Sequence, residues 1–342
     1  MTSVKKKKLK DAVKNNLENE ILLYAKNIKK YFPIKGGILK RTINQLKAVD
    51  DISFHVYEGE TLGIVGESGS GKSTLGRVLL RLLHPTEGQI IFNSVDITHL
   101  KNREIRPFRK DMQIIFQDPF ASLNSKMSVE ELIKEPLLIQ QQLTKAERRK
   151  KVIDMLEKVG LRTTDRMKYP HEFSGGQRQR ISIARALIME PKFVICDEPV
   201  SALDVSIQSQ VLNLMKDLQD DLGLTYLFIA HDLSVIKHIS DRVAVMYLGR
   251  FVELASKDDI YKKPLHPYTQ ALLSAVPVID HDDSKQKREK IILKGDLPNP
   301  ADPPSGCTFR TRCPHAHERC ISERPDLVEI EPDHYVACHL YS

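Results

Sequence analysis

Hydrophobic and polar residues alternate along the chain with two periods, which predicts strands separated by helices. The apolar strings typical of buried strands are residues 21–28, 61–65, 90–92, 112–116, 193–196 and 225–230. Apolar residues in 75–82 recur at helical spacing, and a long helix is predicted over 204–222. Strand–helix alternation of this kind favours an α/β fold, with a mostly parallel sheet covered by helices.

Two stretches depart from this pattern and divide the chain. Residues 118–175 are helical in pattern and strongly charged, which predicts a helical subdomain inserted within a main domain of residues 21–255. Residues 256–342 form a small cysteine-rich extension, too poor in apolar runs to bury a core unaided. The polar, lysine-rich composition of residues 1–20 predicts a basic, flexible N-terminus. Within the main domain, Pro-Ile-Lys-Gly-Gly at 33–37 predicts a loop.

Composition narrows the class of protein. A chain of 342 residues with 41% hydrophobic residues is enough for two or three domains. Its apolar runs are too short to span a bilayer, and the N-terminal lysines lack the apolar region of a secretory signal. The net charge of +7 fits a solvated tail and helix face better than an anionic membrane surface. Without a basic stripe interleaved with aromatics, we expect no nucleic-acid partner.

The most specific motif is a phosphate-loop sequence between a strand and a helix, formed by Gly66, Glu67, Ser68, Gly69, Ser70, Gly71, Lys72, Ser73 and Thr74. Its glycines let backbone N–H groups point into the loop, and the dipole of the following helix adds positive potential. Lys72 can then reach the β- and γ-phosphates, while the Ser73 hydroxyl can ligate Mg²⁺. The motif predicts a nucleotide-binding site.

A second half of the site follows the apolar strand 193–196. Asp197 ends this strand and can hold Mg²⁺, and Glu198 is placed to polarise an attacking water as general base. An apolar strand followed by Asp-Glu is common and carries weight only together with the phosphate loop.

A Ser-Gly-Gly-Gln segment stands where a further helix is predicted to begin, at Ser174, Gly175, Gly176 and Gln177. Alone it is either an anion cradle or an N-capped helix with a flexible entry. The order of motifs decides, because the phosphate loop is followed in turn by Gln117, Ser174, Asp197, Asp204 and His231. Over residues 21–255 the chain therefore resembles the ATP-binding-cassette (ABC) ATPases. The resemblance implies a RecA-like core with an antiparallel β subdomain and a helical subdomain.

The resemblance also implies catalytic and metal-binding roles. Gln117 and His231 would complete the catalytic group formed with Lys72 and Glu198. Gln117 would also touch Mg²⁺ or water beside Ser73 and Asp197, and His231 would hydrogen-bond the γ-phosphate.

Other implied roles concern adenine and a second subunit. Tyr31 would stack on adenine, with Phe32 as the alternative. The Ser-Gly-Gly-Gln segment would bind the γ-phosphate held by a second nucleotide-binding subunit, and Asp204 would link the two sites across that dimer.

The C-terminal residues narrow the resemblance further. His266-Pro267-Tyr268-Thr269, residues 303–314, Cys320 and residues 336–339 look like the C-terminal extension of oligopeptide/dipeptide importer ATPases. The insertion at 31–37 resembles the F-type subunit of such importers rather than its D-type partner.

This narrower resemblance implies that ATP hydrolysis powers import of oligopeptides or dipeptides, with nickel and opines open as other cargo. The implied partners are a D-type nucleotide-binding subunit in a heterodimer, two transmembrane permease subunits and an extracytoplasmic peptide-binding protein. The expected location is the cytoplasmic face of the cell membrane.

Four cysteines crowd the extension, at Cys307, Cys313, Cys320 and Cys338. With no Cys-x-x-Cys pair, an ordinary zinc ribbon is a poor match. Four thiolates can hold a [4Fe–4S] cluster, and similar importers carry one in this extension. Zinc and no metal remain alternatives, and His315, His317 or His339 could replace a thiolate. Because the cysteines are far in sequence from the ATP-site motifs, we expect a structural role whose loss spares ATP binding.

Non-transport cassette ATPases are the rival class. Repair enzymes insert a long coiled coil between the phosphate loop and the Ser-Gly-Gly-Gln segment, but no sustained heptads occur between Lys72 and Ser174. Ribosome-acting types carry two cassettes in one chain, whereas this sequence has one. A plain phosphate-loop switch protein would not need the Ser-Gly-Gly-Gln segment.

Overall fold

The computed structural model describes residues 20–36, 41–140, 142–275 and 290–342. The basic segment predicted at the N-terminus lies outside these residues, apart from Glu20. Across the described residues, no helix combines the length and apolar character needed to cross a membrane.

Twelve strands are found among the described residues: β1 (Ile21–Gly36), β2 (Arg41–Tyr57), β3 (Thr61–Val65), β4 (Glu87–Phe92), β5 (Val95–Asp96), β6 (Met112–Ile115), β7 (Phe193–Asp197), β8 (Thr225–Ala230), β9 (Arg242–Tyr247), β10 (Arg250–Ser256), β11 (Val328–Glu331) and β12 (His334–Val336). The α-helices described are α1 (Lys72–Leu79), α2 (Asn102–Ile105), α3 (Pro119–Ser122), α4 (Val129–Gln140), α5 (Lys145–Lys158), α6 (Gly175–Leu187), α7 (Val205–Leu222), α8 (Leu233–Ile239), α9 (Lys257–Lys262), α10 (Pro267–Ser274) and α11 (Arg319–Ser322). Short 3₁₀ turns occupy Arg106–Lys110, Thr163–Met167 and Pro170–Glu172.

The larger sheet has eight strands in the order β11-β12-β10-β9-β3-β8-β7-β6. Strands β6, β7, β8, β3 and β9 are parallel. Every residue of β3, β7 and β8 is buried, as expected for parallel strands covered on both faces. The α/β prediction is confirmed, and the carboxyl ends of these strands meet at one edge.

The smaller sheet is antiparallel, in the order β2-β1-β4-β5. Its first strand corrects a prediction, because β1 continues through Pro33 to Gly36 where a loop was expected. Strand β4 pairs with β1 no further than Lys29, whereas Pro33 pairs with Gln45 of β2. Beyond Lys29, therefore, β1 pairs with β2 alone, and proline is tolerated on such an edge because it lacks only a donor.

Helix ends follow local signals in the sequence. Ser174 forms a capping box at the start of α6, and α7 runs from the N-cap Asp204 to Gly223, whose φ of +63° suits the left-handed C-cap. Helix α1 ends earlier than the apolar spacing predicts: Leu82 lies beyond its last residue and is 46% exposed. The described part of 118–175 is helical and contains no strand, as expected.

The extension is built onto the main domain. Strand β12 pairs antiparallel with β10, opposing Val336 to Glu253, and so continues the larger sheet. Phe309 is 1% exposed and its ring lies 5.3 Å from that of Tyr247 and 5.4 Å from that of Tyr268. The extension's few apolar side chains therefore join the core of the main domain instead of forming their own.

Candidate active site

The phosphate loop lies between the end of β3 and the start of α1, where close backbone packing demands glycine. Gly71 has φ +106°, and a Cβ there would lie 2.0 Å from the Ala48 carbonyl oxygen. A Cβ on Gly66 would lie 2.1 Å from the carbonyl oxygen of Met246. Both distances are shorter than any real contact, so the loop can take this shape only with glycine at these positions.

Lys72 is enclosed by the loop. It is 4% exposed, and its Nζ donates to the carbonyl oxygens of Gly66 at 2.7 Å and Glu67 at 2.9 Å. Burial lowers the pKa of Lys72, while the carboxylates of Glu198, Asp197 and Glu67 oppose that shift. A buried ammonium favours an anionic partner, as a nucleotide phosphate would be.

Ser73 and Asp197 meet across the sheet edge, with Ser73 Oγ donating to Asp197 Oδ1 at 2.6 Å. Asp197 is 3% exposed; burial raises its pKa, and the Ser73 hydrogen bond and the Arg77 charge oppose that shift. A hydroxyl and a carboxylate are ligands that suit Mg²⁺. Gln117, the third predicted ligand, instead bonds Glu198.

The carboxylate of Glu198 is contacted by two other predicted catalytic side chains, Gln117 and His231. Its φ of +49° is rare for a non-glycine residue and turns the chain sharply after β7, while its N–H donates to the Ile229 carbonyl at 3.0 Å. Gln117 Nε2 lies 3.2 Å and His231 Nδ1 2.9 Å from Glu198 Oε2. Gln117 also reaches the Ser201 hydroxyl at 3.4 Å, a contact that the sequence did not indicate.

Tyr31 is tied to the phosphate loop by a short relay. Its hydroxyl donates to Asp50, which also accepts from Arg250. The Asp50 N–H donates to the Gly249 carbonyl, and the Gly249 N–H to the Ser70 carbonyl, both at 2.8 Å. Burial and the hydrogen bond to Asp50 raise the pKa of Tyr31. The ring is half-buried beside the loop, a position compatible with stacking on a base.

The Ser-Gly-Gly-Gln segment lies at the exposed start of α6, and its side-chain hydrogen bonds stay within the segment. The Gln177 N–H donates to Ser174 Oγ at 3.4 Å, and the Ser174 N–H to Gln177 Oε1 at 3.0 Å. A Cβ on Gly176 would lie 2.5 Å from Ile207 Cγ2 of α7, so this helix crossing needs the glycine. Asp204 is also exposed. Hydrogen bonds thus join Ser73 to Asp197, and Gln117 and His231 to Glu198, whereas the Ser-Gly-Gly-Gln segment and Asp204 lie outside these contacts.

Comparison with known proteins agrees with this geometry. The ABC transporter family matches residues 49–201, and the C-terminal region of oligopeptide/dipeptide transporters matches 252–320. The oligopeptide transport ATP-binding protein AppF of Bacillus subtilis is 57% identical over 94% of this chain and 98% of its own length. A putative peptide import ATP-binding protein of Brucella ovis is 56% identical over 86% of this chain and 92% of its own.

The chain belongs to the ABC transporter family. It is an ATPase of that family, which uses ATP and Mg²⁺, and a non-transport ATPase is not favoured. The dimeric, post-hydrolysis structure of the ATP-binding cassette MJ0796 bound to ADP and Pi is similar at TM-score 0.62 and 28% identity, covering 69% of this chain and 98% of that one. The protein cbiO1 of Clostridium perfringens, part of the ABC transporter complex cbiONQ, has TM-score 0.62 and 29% identity over 72% of this chain and 92% of its own.

Two contacts of this ABC ATPase were missed by sequence reasoning. Arg312 of the extension pairs with Glu67 in the phosphate loop, and the Tyr268 hydroxyl accepts from the Glu67 N–H at 2.9 Å. The sequence offered one signal, the His-Pro-Tyr-Thr run, in which His266 Nδ1 caps α10. That signal indicates a helix start but gives no information on what Tyr268 contacts.

The four clustered cysteines are free thiols and are neighbours in space. Burial, with smaller contributions from the thiols of Cys307, Cys313 and Cys320, raises the pKa of Cys338 to about 11. Neighbouring backbone N–H groups oppose the rise in the pKa of Cys307, Cys313 and Cys338 that burial causes. Yet among the described residues no three His, Cys, Asp or Glu side chains are arranged to hold a metal ion.

Proposed function

We propose that this chain powers import of oligopeptides or dipeptides by binding and hydrolysing ATP, with separate membrane subunits carrying the cargo. The observation that carries this is the joint presence of an assembled ATPase site and a C-terminal region of the oligopeptide/dipeptide transporter type. The names of the Bacillus and Brucella relatives support the cargo class.

The site chemistry follows from the residue positions. Backbone N–H groups of the loop and Lys72 bind the ATP phosphates, while Ser73 and Asp197 hold Mg²⁺, which neutralises phosphate charge. Glu198 accepts the proton of the attacking water, and the contacts of Gln117 and His231 with its carboxylate keep it oriented. Tyr31 stacks on the adenine ring.

The Ser-Gly-Gly-Gln segment acts on a second subunit's nucleotide. Its exposure, and its hydrogen bonds within the segment, support action across a dimer. ATP bound between two subunits holds them together, hydrolysis releases them, and Asp204 lies where the two sites communicate. The proposed partner is a D-type subunit, with this chain as the F-type member of a heterodimer.

The remaining assembly consists of two transmembrane permease subunits and an extracytoplasmic peptide-binding protein, which place this chain at the cytoplasmic face of the membrane. Residues 21–255 form the ATPase domain in this proposal, with 118–175 as its helical subdomain and 256–342 as the extension.

The four-cysteine cluster is proposed to hold a [4Fe–4S] cluster, with zinc as the alternative. Support comes from four thiols in one neighbourhood, because four thiolates can hold such a cluster. Anaerobically purified protein should be brown and contain about four irons per chain. A colourless protein with one zinc would replace the cluster by zinc, and a metal-free protein with an ordered extension would end the metal proposal.

Copurification and uptake test the transport function. Protein purified from detergent-solubilised membranes should bring down two permeases and a second ATPase. In proteoliposomes the complex with its binding protein should take up labelled oligopeptides or dipeptides only with ATP. Uptake of nickel or opines instead would change the cargo, while recovery of ribosomes or DNA in place of permeases would overturn import.

A further inference from the structure

The extension contacts the phosphate loop through an ion pair between Arg312 and Glu67. Arg312 Nη1 lies 3.0 Å from Oε1 and 2.9 Å from Oε2 of Glu67, which is 245 residues away in sequence. The side chains are only 10% and 27% exposed. A charged pair this sheltered from water is screened weakly, so its geometry matters more than that of a surface pair.

A second contact holds the backbone of the same loop residue. The Glu67 N–H donates to the hydroxyl of Tyr268, a fully buried side chain whose ring lies 4.8 Å from that of Tyr247. Phe309 packs against both rings and precedes Arg312 by one turn, with the Arg312 N–H donating to its carbonyl. Glu67 is thus held at its backbone by Tyr268 and at its side chain by Arg312, two residues of the extension.

The position of Glu67 connects its contacts with Arg312 and Tyr268 to nucleotide binding. Its carbonyl oxygen accepts from Lys72 Nζ at 2.9 Å, and its carboxylate is one of the charges that act on Lys72. A carboxylate this near the phosphate site opposes binding of a triphosphate unless it is neutralised. Arg312 supplies that neutralisation and fixes the loop.

A weaker contact reaches the other side of the site. Arg324 Nη1 lies 3.5 Å from Asp50 Oδ2, and its Nη2 lies 3.9 Å from Asp51 Oδ2, with Arg324 44% exposed. Asp50 in turn accepts from Tyr31. Because these distances are long and the arginine is half in water, this contact ranks below the Arg312 pair.

We propose that Arg312 is a positioning residue for ATP: it neutralises and orients Glu67, and so couples the cysteine-rich extension to nucleotide affinity. The inference rests on the proposed function only in that the phosphate loop binds ATP. Arg312 immediately precedes Cys313, in a turn where the Cys307 N–H donates to the Cys320 carbonyl at 2.9 Å. Loosening the cysteines therefore loosens Arg312. In contrast to the expectation from sequence, in which loss of the cysteines spares ATP binding, this proposal predicts that their loss weakens it.

Equilibrium binding of a fluorescent ATP analogue to the full chain tests the pair. Arg312→Gln should raise Kd about tenfold, equivalent to about 1.4 kcal/mol, and raise KM for ATP with kcat little changed at saturation. Arg312→Lys should recover part of the affinity. Arg310→Gln is the matched control, because Arg310 bonds Ser305 inside the extension and should change Kd less than twofold.

Removing the charge of Glu67 distinguishes the positioning role of Arg312 from a general loss of structure. Adding Glu67→Gln to Arg312→Gln removes the unpaired carboxylate and should recover most of the affinity, at an unchanged melting temperature. If Arg312→Gln binds ATP as well as the Arg310 control does, or if the double variant recovers nothing, the proposal is wrong. Failure of peptide uptake would leave this measurement untouched, so the two proposals fail separately.

The proposed coupling between the cysteines and the ATP site is tested by combining two substitutions. Cys313→Ser should weaken ATP-analogue binding in the same direction and make the extension more sensitive to protease. Because both changes act through one contact, the Arg312→Gln/Cys313→Ser double variant should bind no more weakly than Arg312→Gln alone. Additive losses, or unchanged Kd in Cys313→Ser, would contradict coupling between the cysteines and the ATP site.

Discussion

His231 Nδ1 lies 2.9 Å from Oε2 of Glu198, the oxygen that Gln117 also approaches. Glu198 and His231 follow the ends of the adjacent parallel strands β7 and β8, while Gln117 follows β6 on the other side of β7. Three side chains from separate parts of the sequence therefore converge because parallel strands end at one edge.

Replacing Glu198 by Gln should separate chemistry from binding. The amide keeps the size of the side chain but cannot take a proton from water, so turnover should fall by about 10² or more. ATP binding should persist, and an ATP-held dimer should accumulate on size-exclusion chromatography. Hydrolysis at the wild-type rate would mean that Glu198 is not the base.

Ser174→Arg should act in trans. The change adds bulk and charge at the exposed start of α6, outside the hydrogen bonds of the chain's own Lys72, so the isolated subunit should bind ATP with nearly unchanged affinity. Cooperative hydrolysis by the assembled pair of subunits should be abolished. Loss of ATP binding by the monomer, measured by the same fluorescence titration, would contradict action across the dimer.

Gly176 and Gly175 form a matched pair for a stability test. A Cβ on Gly176 would lie 2.5 Å from Ile207 Cγ2, whereas one on Gly175 would lie 3.5 Å from Leu203 Cδ2, an ordinary contact. Gly176→Ala should therefore cost about 1–3 kcal/mol of unfolding free energy through overpacking. Gly175→Ala should be neutral or slightly stabilising. Equal melting curves for the two variants would mean that α6 and α7 can move apart freely.

The buried imidazole of His266 is expected to make the free energy of unfolding depend on pH below about 6.5. Burial lowers its pKa to about 4, with the Glu253 charge opposing that shift, so the folded state stays neutral while an unfolded histidine protonates near pH 6.5. As pH falls from about 6.5 to 4, the free energy of unfolding should drop by up to about 1.4 kcal/mol per pH unit. Above pH 6.5 His266 does not contribute to the pH dependence of the free energy of unfolding.

The control is His266→Asn, which keeps an acceptor for the Tyr268 N–H but does not titrate. Its stability, measured by denaturant unfolding, should fall less steeply over this window. His55, whose pKa burial also lowers to about 4, remains in both proteins and cancels in the comparison. Identical acid slopes would show that His266 is protonated in the folded state.

Much of the molecule was predictable from local sequence. The strands around the phosphate loop, the cap at Ser174 and the helix that follows Asp204 were all expected where they occur. Each depends on residues within a few positions of one another, because side-chain period, turn glycines and capping oxygens act over one or two helical turns. The order of those motifs was enough to indicate the ABC family.

Other features depended on the tertiary structure. Pro33 continues a strand because the edge beside it is unpaired, and β12 adds to the sheet although it has only three residues. The pairing of Arg312 with Glu67 joins residues 245 positions apart. No periodicity relates such residues, because their contact depends on how the Tyr268 and Phe309 rings pack. The sequence therefore determined the ATPase motifs, whereas only three-dimensional packing brought the extension onto the phosphate loop.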